Sequence, residues 1–279
     1  GWLSVSATGK AGRPETYSTD AILMLLVLRE RFGLPLRALV GFALSLLQLM
    51  GLTLPVPCYT QISRRAQNLH KRLARLPIRG AKHIIFDSTG LKVRGEGEWK
   101  VRTHGKGQRR TWRKFHVAID AETQEIISYE LTGSTGGDAA AAGRMMSQMS
   151  GIKSIRGDGA YDAGPLREAA YRKGARVIVP PPKNAVYKGA SDGWKRARDA
   201  SIAEIEGLGG GQMGRRLWKQ LIEYHTRSLV ETTMYRIKTM FGPRLKARSL
   251  GAQRTEVHCK CLIINKMNKL GLPIAEWVR

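Results

Sequence analysis

The sequence predicts an α/β fold preceded by a small all-helical module. Three observations carry that expectation. Residues 18–76 place apolar side chains at helical spacing, residues 83–131 switch to short runs of strand length, and strand-like and helix-like segments alternate from residue 138 onward.

The helical module reads as follows. Ser18, Thr19 and Asp20 offer caps for a helix through about Arg31, which Gly33 ends. Pro35 suits the first turn of a second helix and Gly51 closes it, before Pro55 and Pro57 break the chain. A third helix is expected from Thr60 to Arg75, where Ile62, Ala66, Leu69, Leu73 and Leu76 form a buried stripe. Its other faces carry Arg64, Arg65, Lys71, Arg72 and Arg75, and residues 1–80 hold 11 basic and 3 acidic side chains. Such a module (residues 1–78) suits binding of duplex DNA in the manner of a helix-turn-helix, with Arg64 and Arg65 on the binding face. A helical brace with a solvated basic face would have the same pattern.

From residue 79 the pattern is α/β. His83-Ile84-Ile85-Phe86 reads as a buried strand that ends on Asp87. Trp99–Gly105, Thr111–Asp120 and Glu125–Leu131 read as a strand meander, with Gly105–Gln108 as a hairpin turn. Asp138 can cap a helix through Met149, and another helix follows Gly164-Pro165. Between these two helices Ile152–Arg156 leads into Gly157-Asp158-Gly159-Ala160-Tyr161-Asp162, and Arg176–Val179 reads as a further strand. Residues 181–216 are polar and Gly-rich and are expected to be an insertion or mobile loop, and a last helix is expected from about Glu256 to Leu270.

Three acids stand out. Asp87 and Asp158 follow strand-like segments, where a sheet fixes the backbone and leaves the side chain toward ligand. Glu231 lies in YHTRSLVETTMYRIK, in which Tyr224, Arg227, Glu231 and Lys238 are three, four and seven residues apart. That spacing suits one helix face presenting a carboxylate, two cations and a phenol. A carboxylate can hold a hard metal ion and the cations can grip phosphate. An exposed helix with i,i+4 ion pairs has the same spacing.

Charge fits a polyanionic partner. Lys and Arg number 47 against 22 Asp and Glu, a formal net charge of +25 over 279 residues. The segment Trp99–His116 carries Lys100, Arg102, Lys106, Arg109, Arg110, Arg113 and Lys114 and no acid. These cations suit a nucleic-acid groove, while Trp99 and Trp112 suit either base stacking or the core. Cys58, Cys259 and Cys261 make no disulfide framework, which fits a reducing cytoplasm. Ala21–Leu28 and Ala38–Leu47 are shorter than the ~20 residues of a membrane span. The chain begins with Gly1 and not Met. His258-Cys259-Lys260-Cys261 lacks the second ligand pair of a zinc site, and Gly95 and Gly97 form no Walker loop or dinucleotide fingerprint. Asp162 competes with Asp158 for the second acidic position, but its distance from the strand suits capping the next helix.

The stretches FDSTGLKVRGEGEWKVRTHG, RRTWRKFHVAID, GDGAYD, VIVPPPK and YHTRSLVETTMYRIKTMFG together resemble the DDE transposases of bacterial insertion sequences. Within them, the chain looks like insertion-sequence family 5, of the group carrying the Y-R-E-K signature, from about Tyr17 to its C-terminus. The resemblance implies an RNase H-like catalytic domain (residues 79–279), with a mixed five-stranded sheet and helices on both faces. It implies that Asp87, Asp158 and Glu231 are the catalytic, metal-binding acids for DNA cleavage and strand transfer. Two Mg²⁺ ions are expected between them, with Mn²⁺ as a permitted substitute. Arg227 and Lys238 would clamp phosphates of the element end, and Tyr224 would hydrogen-bond a phosphate or its flanking backbone. The expected partners are the terminal inverted repeats, target DNA and a second copy of the chain in a synaptic complex, in a bacterial cytoplasm at the nucleoid. Neither a nucleotide cofactor nor a membrane is expected. A catalytically silent DNA-binding repressor and an RNase H-like nuclease that does not join strands are the alternatives.

Overall fold

A computed structural model of the protein describes residues 1–3, 15–73, 76, 80, 82–93, 112–191 and 193–271. The chain forms two compact units, each discontinuous in sequence. One comprises residues 1–75, 92–111 and 237–279, and the other residues 76–91 and 112–236. The C-terminal segment therefore joins the N-terminal helices, where the sequence had suggested one continuous domain from residue 79 onward.

In the first unit, α1 (Thr19–Phe32), α2 (Leu36–Leu49) and α3 (Tyr59–Leu69) pack around Ile22, Leu25, Leu26, Leu39, Ala43, Ile62, Ala66 and Leu69. Ser18 caps α1 by accepting the Ala21 N–H at 3.0 Å, and Gly33 ends it at φ +68°, a left-handed conformation that glycine adopts without strain. The third helix ends at Leu69, short of the expected Arg75. Lys71 N–H and Arg72 N–H turn back onto the carbonyls of Asn68 and Leu69. The last helix of the chain, Leu250–Leu270, packs on α1 and α3 and adds Cys259 to their core. Its Thr255 hydroxyl donates to the Ala66 carbonyl at 2.8 Å. Buried Glu256 accepts the Lys246 and Ala247 N–H groups and pairs with Lys260. Two short strand segments, Lys92-Val93 and β6 (Arg244–Leu245), pair in parallel.

The second unit is built on a sheet of order β3-β2-β1-β4-β5. Its strands are β1 (His83–Val93), β2 (Trp112–Asp120), β3 (Ile126–Gly133), β4 (Ser154–Arg156) and β5 (Arg176–Ile178). β2 and β3 are antiparallel, and β1, β4 and β5 are mutually parallel. That order and those directions are those of an RNase H-like fold, as expected. Helices α4 (Asp138–Ser147) and α5 (Gly164–Tyr171) pack on the sheet through Ala142, Met145, Met146, Leu166 and Ala170 against Ile84, Phe86, Ala118 and Ile155. The expected strand at Trp99–Gly105 and its turn lie outside the described residues.

Two local expectations change. β1 continues through Asp87 to Val93, so Asp87 sits inside the strand and not at its end. Residues 181–216 are not a loop throughout: α6 (Gly193–Gly207) and α7 (Gly211–Leu221) occupy most of that stretch. They are held by burial of Ile202, Ile205 and Trp218 and by the Trp218 indole N–H donating to Glu204 at 2.7 Å. Buried Asp199 on α6 also accepts the Lys188 N–H at 3.2 Å and the Ala190 N–H at 2.9 Å, tying the preceding turn to the helix. Replacing Asp199 with Ala should strand those two donors and lower stability by about 1–3 kcal/mol, measured by urea unfolding. A change within experimental error would show that this turn is satisfied by water instead.

Candidate active site

The acids of interest all lie in the second unit. Ile84-Ile85-Phe86 is fully buried, so the backbone of β1 is fixed immediately ahead of half-buried Asp87. The Ser88 N–H donates to Asp87 Oδ1 at 2.8 Å. Asp158 follows β4, the strand paired with β1 through His83–Ser154, Ile84–Ile155 and Ile85–Arg156. Its Oδ1 accepts the Ala160 N–H at 2.9 Å and starts a 3₁₀ turn, Gly159–Tyr161. Gly157 before it has no room for a side chain, because a Cβ there would stand 2.9 Å from the Tyr161 ring.

The signature residues are divided between two kinds of helix. Tyr224–Arg227 form a 3₁₀ turn, and α8 (Ser228–Phe241) carries Glu231 and Lys238. One continuous α-helical face was expected; Glu223, at φ +53°, instead breaks the chain from α7 immediately before Tyr224. The Tyr224 hydroxyl donates to the Gly157 carbonyl at 3.1 Å, one residue before Asp158. Lys219 Nζ lies 5.2 Å and Arg227 Cζ 5.9 Å from the centroid of its ring. Burial, with added repulsion from Asp158, Glu231 and Asp87, pushes the Tyr224 hydroxyl up to about 12, so it remains a donor at neutral pH. Arg227 makes an ion pair with Glu231, whose side chain is 52% exposed. Lys238 is half-buried near the end of α8, within the stretch of that helix that belongs to the first unit.

Asp87, Asp158 and Glu231 share one electrostatic neighbourhood. Burial holds the Asp87 carboxyl above the ordinary carboxylate range, and the negative charges of Asp158 and Glu231 push it further. The Ser88 N–H and Arg227 act in the opposite sense. In chemical kind, three carboxylates suit a hard divalent cation. In distance they are not assembled: among the described residues no three His, Cys, Asp or Glu side chains stand close enough to hold an ion, and Glu231 is turned onto Arg227.

The remaining predicted residues are placed as follows. Asp162 is not a helix cap. Its fully buried carboxylate pairs with Arg167 and Arg198. Asp138 is the first residue of α4 and caps nothing; Gly137 holds the N-cap position and the Asp138 carboxylate meets Lys114 Nζ at 2.7 Å. Lys114 therefore has an acidic partner within the protein. Trp112 lies over Gly90, where a Cβ would be 3.1 Å from its ring, which favours packing over stacking on a base. Arg113 is half-buried on β2. Arg64 is exposed on α3, whereas Arg65 donates to the Tyr17 carbonyl and pairs with Glu15. Lys100, Arg102, Arg109 and Arg110 lie outside the described residues. His258 and Cys261 are buried in the last helix, with no metal cluster among the described residues. No single described helix is long and apolar enough to cross a membrane; α1 and α2 reach that length only as a pair bent by 108°.

A sequence model described as a transposase DDE domain matches residues 78–266, and a second of the same description matches residues 1–96. The chain belongs to the DDE transposase family. Among solved structures, it is similar to the piggyBac transposase synaptic complex with hairpin DNA at 11% identity and a TM-score of 0.46, covering 98% of this chain and 71% of that one. It is also similar to the Drosophila P element transposase strand transfer complex, at 10% identity and TM-score 0.31, over 92% and 66% of the two chains. A pre-cleavage Mos1 transpososome matches at 12% identity and TM-score 0.25, over 95% and 82%. These scores are low, and the family assignment rests on the sequence match. The protein is a transposase, and as a member of this family it is a metal-dependent enzyme acting on DNA.

The raised pKa of Asp87 has a consequence for stability. A carboxyl that holds its proton more tightly folded than unfolded favours the folded state at low pH, and that advantage is lost as pH rises through the folded pKa. Asp87→Asn cannot ionise. In thermal melts without metal it should raise Tm near neutral pH, and the gain should shrink toward zero as pH falls through the carboxylate range around pH 4.

Proposed function

We propose that Asp87, Asp158 and Glu231 are the metal-binding acids of an insertion-sequence transposase of family 5, which cleaves the ends of its element and joins them to target DNA. The observation that carries this reading is the shared field of the three carboxylates at a half-buried Asp87, with a cation already drawn to Glu231. Asp158 is preferred to Asp162 because the latter is fully buried and neutralised by two arginines. Mg²⁺ is the natural occupant, as two ions, with Mn²⁺ able to replace it. Bound there, the ions would activate a water or a 3′ hydroxyl for in-line attack and stabilise the leaving oxygen.

The protein's own groups prepare that site. The Ser88 N–H holds one oxygen of Asp87, which leaves the other for metal. Tyr224 pins the Gly157-Asp158 turn through the Gly157 carbonyl, a positioning role in place of a direct phosphate contact. Arg227 neutralises Glu231 before metal arrives. Were Glu231 to hold a metal ion, the Arg227 guanidinium would be free for a phosphate of the element end, where its planar fork suits two oxygens. Lys238, Arg64, Arg65, Lys100, Arg102, Arg109, Arg110, Arg113 and Lys114 are proposed to contribute to DNA binding, Lys114 once its pairing with Asp138 is loosened or shared. The helical segment 1–78 would read the inverted repeats. Pairing two ends requires at least two copies of the chain, at the nucleoid of a bacterial cytoplasm.

Single replacement of Asp87, Asp158 or Glu231 by Ala should abolish cleavage of a duplex carrying the inverted repeat that flanks the coding sequence. Gel-shift affinity for the same duplex should stay within about threefold, because a metal ligand and not a phosphate contact is lost. Full cleavage by the Asp158→Ala protein, with loss on Asp162→Ala, would move the second acid.

A further inference from the structure

Asp162 is no ligand in the reaction just described, yet it is bonded to the turn that carries Asp158. Asp158 Oδ1 accepts the Ala160 N–H at 2.9 Å and the Asp158 carbonyl accepts the Tyr161 N–H at 3.0 Å. The Asp162 N–H donates to the Gly159 carbonyl at 3.1 Å, so Asp162 closes the 3₁₀ turn that Asp158 opens. Both oxygens of its fully buried carboxylate are gripped. Arg167 of α5 donates to Oδ1, and Arg198 of α6 meets Oδ2 with Nε and a terminal nitrogen, each at 3.0 Å. The start of the same segment is held by Tyr224, whose hydroxyl donates to the Gly157 carbonyl at 3.1 Å and whose ring faces Lys219 of α7. Arg215 of α7 also donates to the Pro181 and Pro182 carbonyls at 2.5 and 2.6 Å, and the neighbouring Pro180 carbonyl lies 3.7 Å from a Cβ placed on Gly159. Residues 157–162 are thus held at both ends from one stretch of chain, in which α6 and α7 pack together and are joined by Trp218 and Glu204. Stability alone does not account for three charged groups at Asp162, since a buried ion cluster is often no more stable than an apolar filling of the same volume. What such charge-assisted bonds add is direction.

We infer that the helical pair α6–α7 is a brace for the second acid, with Arg198 as a positioning residue: by fixing Asp162 it holds the far end of the turn, and so the direction in which Asp158 offers its second oxygen to metal. This inference rests on the reading of Asp158 as a metal ligand. Partners hydrogen-bonded directly to a ligand typically change metal affinity ten- to a hundredfold, and Arg198 acts further out, so the lower figure applies. The Arg198 side chain is 20% exposed and Arg167 remains on Asp162 without it, so its truncation opens onto solvent and leaves the buried carboxylate paired.

The test is a Mn²⁺ titration of the full chain bound to its end duplex, corrected for the duplex alone, with the free ion followed by electron paramagnetic resonance and the metal dependence of cleavage measured alongside. Arg198→Ala should weaken Mn²⁺ binding about tenfold and raise half-saturation of cleavage by the same factor, with duplex affinity unchanged. High Mn²⁺ should restore its cleavage, because the acid is displaced and not lost. Arg198→Lys keeps the charge without the fork, so it should show a smaller shift in the same direction and can be measured if the Ala protein fails to fold. Wild-type Mn²⁺ affinity in these variants would overturn the inference. So would a lower Tm and active fraction at unaltered Mn²⁺ affinity, which is the signature of a purely structural role, or a cleavage defect that no Mn²⁺ concentration relieves. Asp158→Ala separates the two claims. If it still binds Mn²⁺ like the wild type, the reading of Asp158 falls and this inference with it. If it loses Mn²⁺ while the Arg198 variants do not, only the role of Arg198 falls.

Discussion

The cost of holding a charged carboxylate at half-buried Asp87 is the constraint on which the rest of the site depends. Burial is the main cost of ionising Asp87, and the negative charges of Asp158 and Glu231 add to it. A folded chain tolerates such a cluster only if something rigid holds it and something positive compensates it. The rigid part is β1, whose Ile84-Ile85-Phe86 is buried on both faces of the sheet, paired to β4 so that Asp87 and the Asp158 turn cannot drift apart. The positive part, in the protein alone, is Arg227 on Glu231. On the reading proposed above, a divalent cation would supply the same compensation with more charge.

The neighbourhood of that cluster follows the same logic. Gly157 lets the Tyr161 ring approach the backbone before Asp158, and Tyr224 closes the turn from the other side by donating to the Gly157 carbonyl. Asp162, only four residues from Asp158, is kept out of the site by Arg167 and Arg198. Two acids of one short motif thus sit in opposite environments because their neighbours differ, one left half-exposed and the other sealed in a buried ion cluster.

Much of this was legible in the sequence. The apolar run at residues 84–86 marked a buried strand, the stripe from Ile62 to Leu69 marked α3, and the Y-x2-R-x3-E spacing brought Arg227 and Glu231 into contact. What was not legible depended on partners distant in sequence. Ser88-Thr89-Gly90 has no strand pattern of its own, yet β1 runs through it to Val93. Residues 193–221 are rich in glycine and charge, and their helices depend on Trp218 reaching Glu204 and on Asp199 reaching back to Lys188 and Ala190. Asp138 read as a helix cap because capping is a local rule, whereas its observed partner Lys114 comes from another strand. The last helix packs against α1 and α3, a contact between opposite ends of the chain that no local pattern encodes.

The most direct test of the central claim is to locate metal in the protein bound to its end duplex, by anomalous scattering from crystals grown with Mn²⁺. The account predicts manganese at Asp87, with Asp158 and Glu231 among its ligands and the Arg227 guanidinium moved off Glu231 onto a phosphate. Manganese bound elsewhere, or Glu231 still paired with Arg227 while metal sits on Asp87 and Asp158 alone, would contradict it.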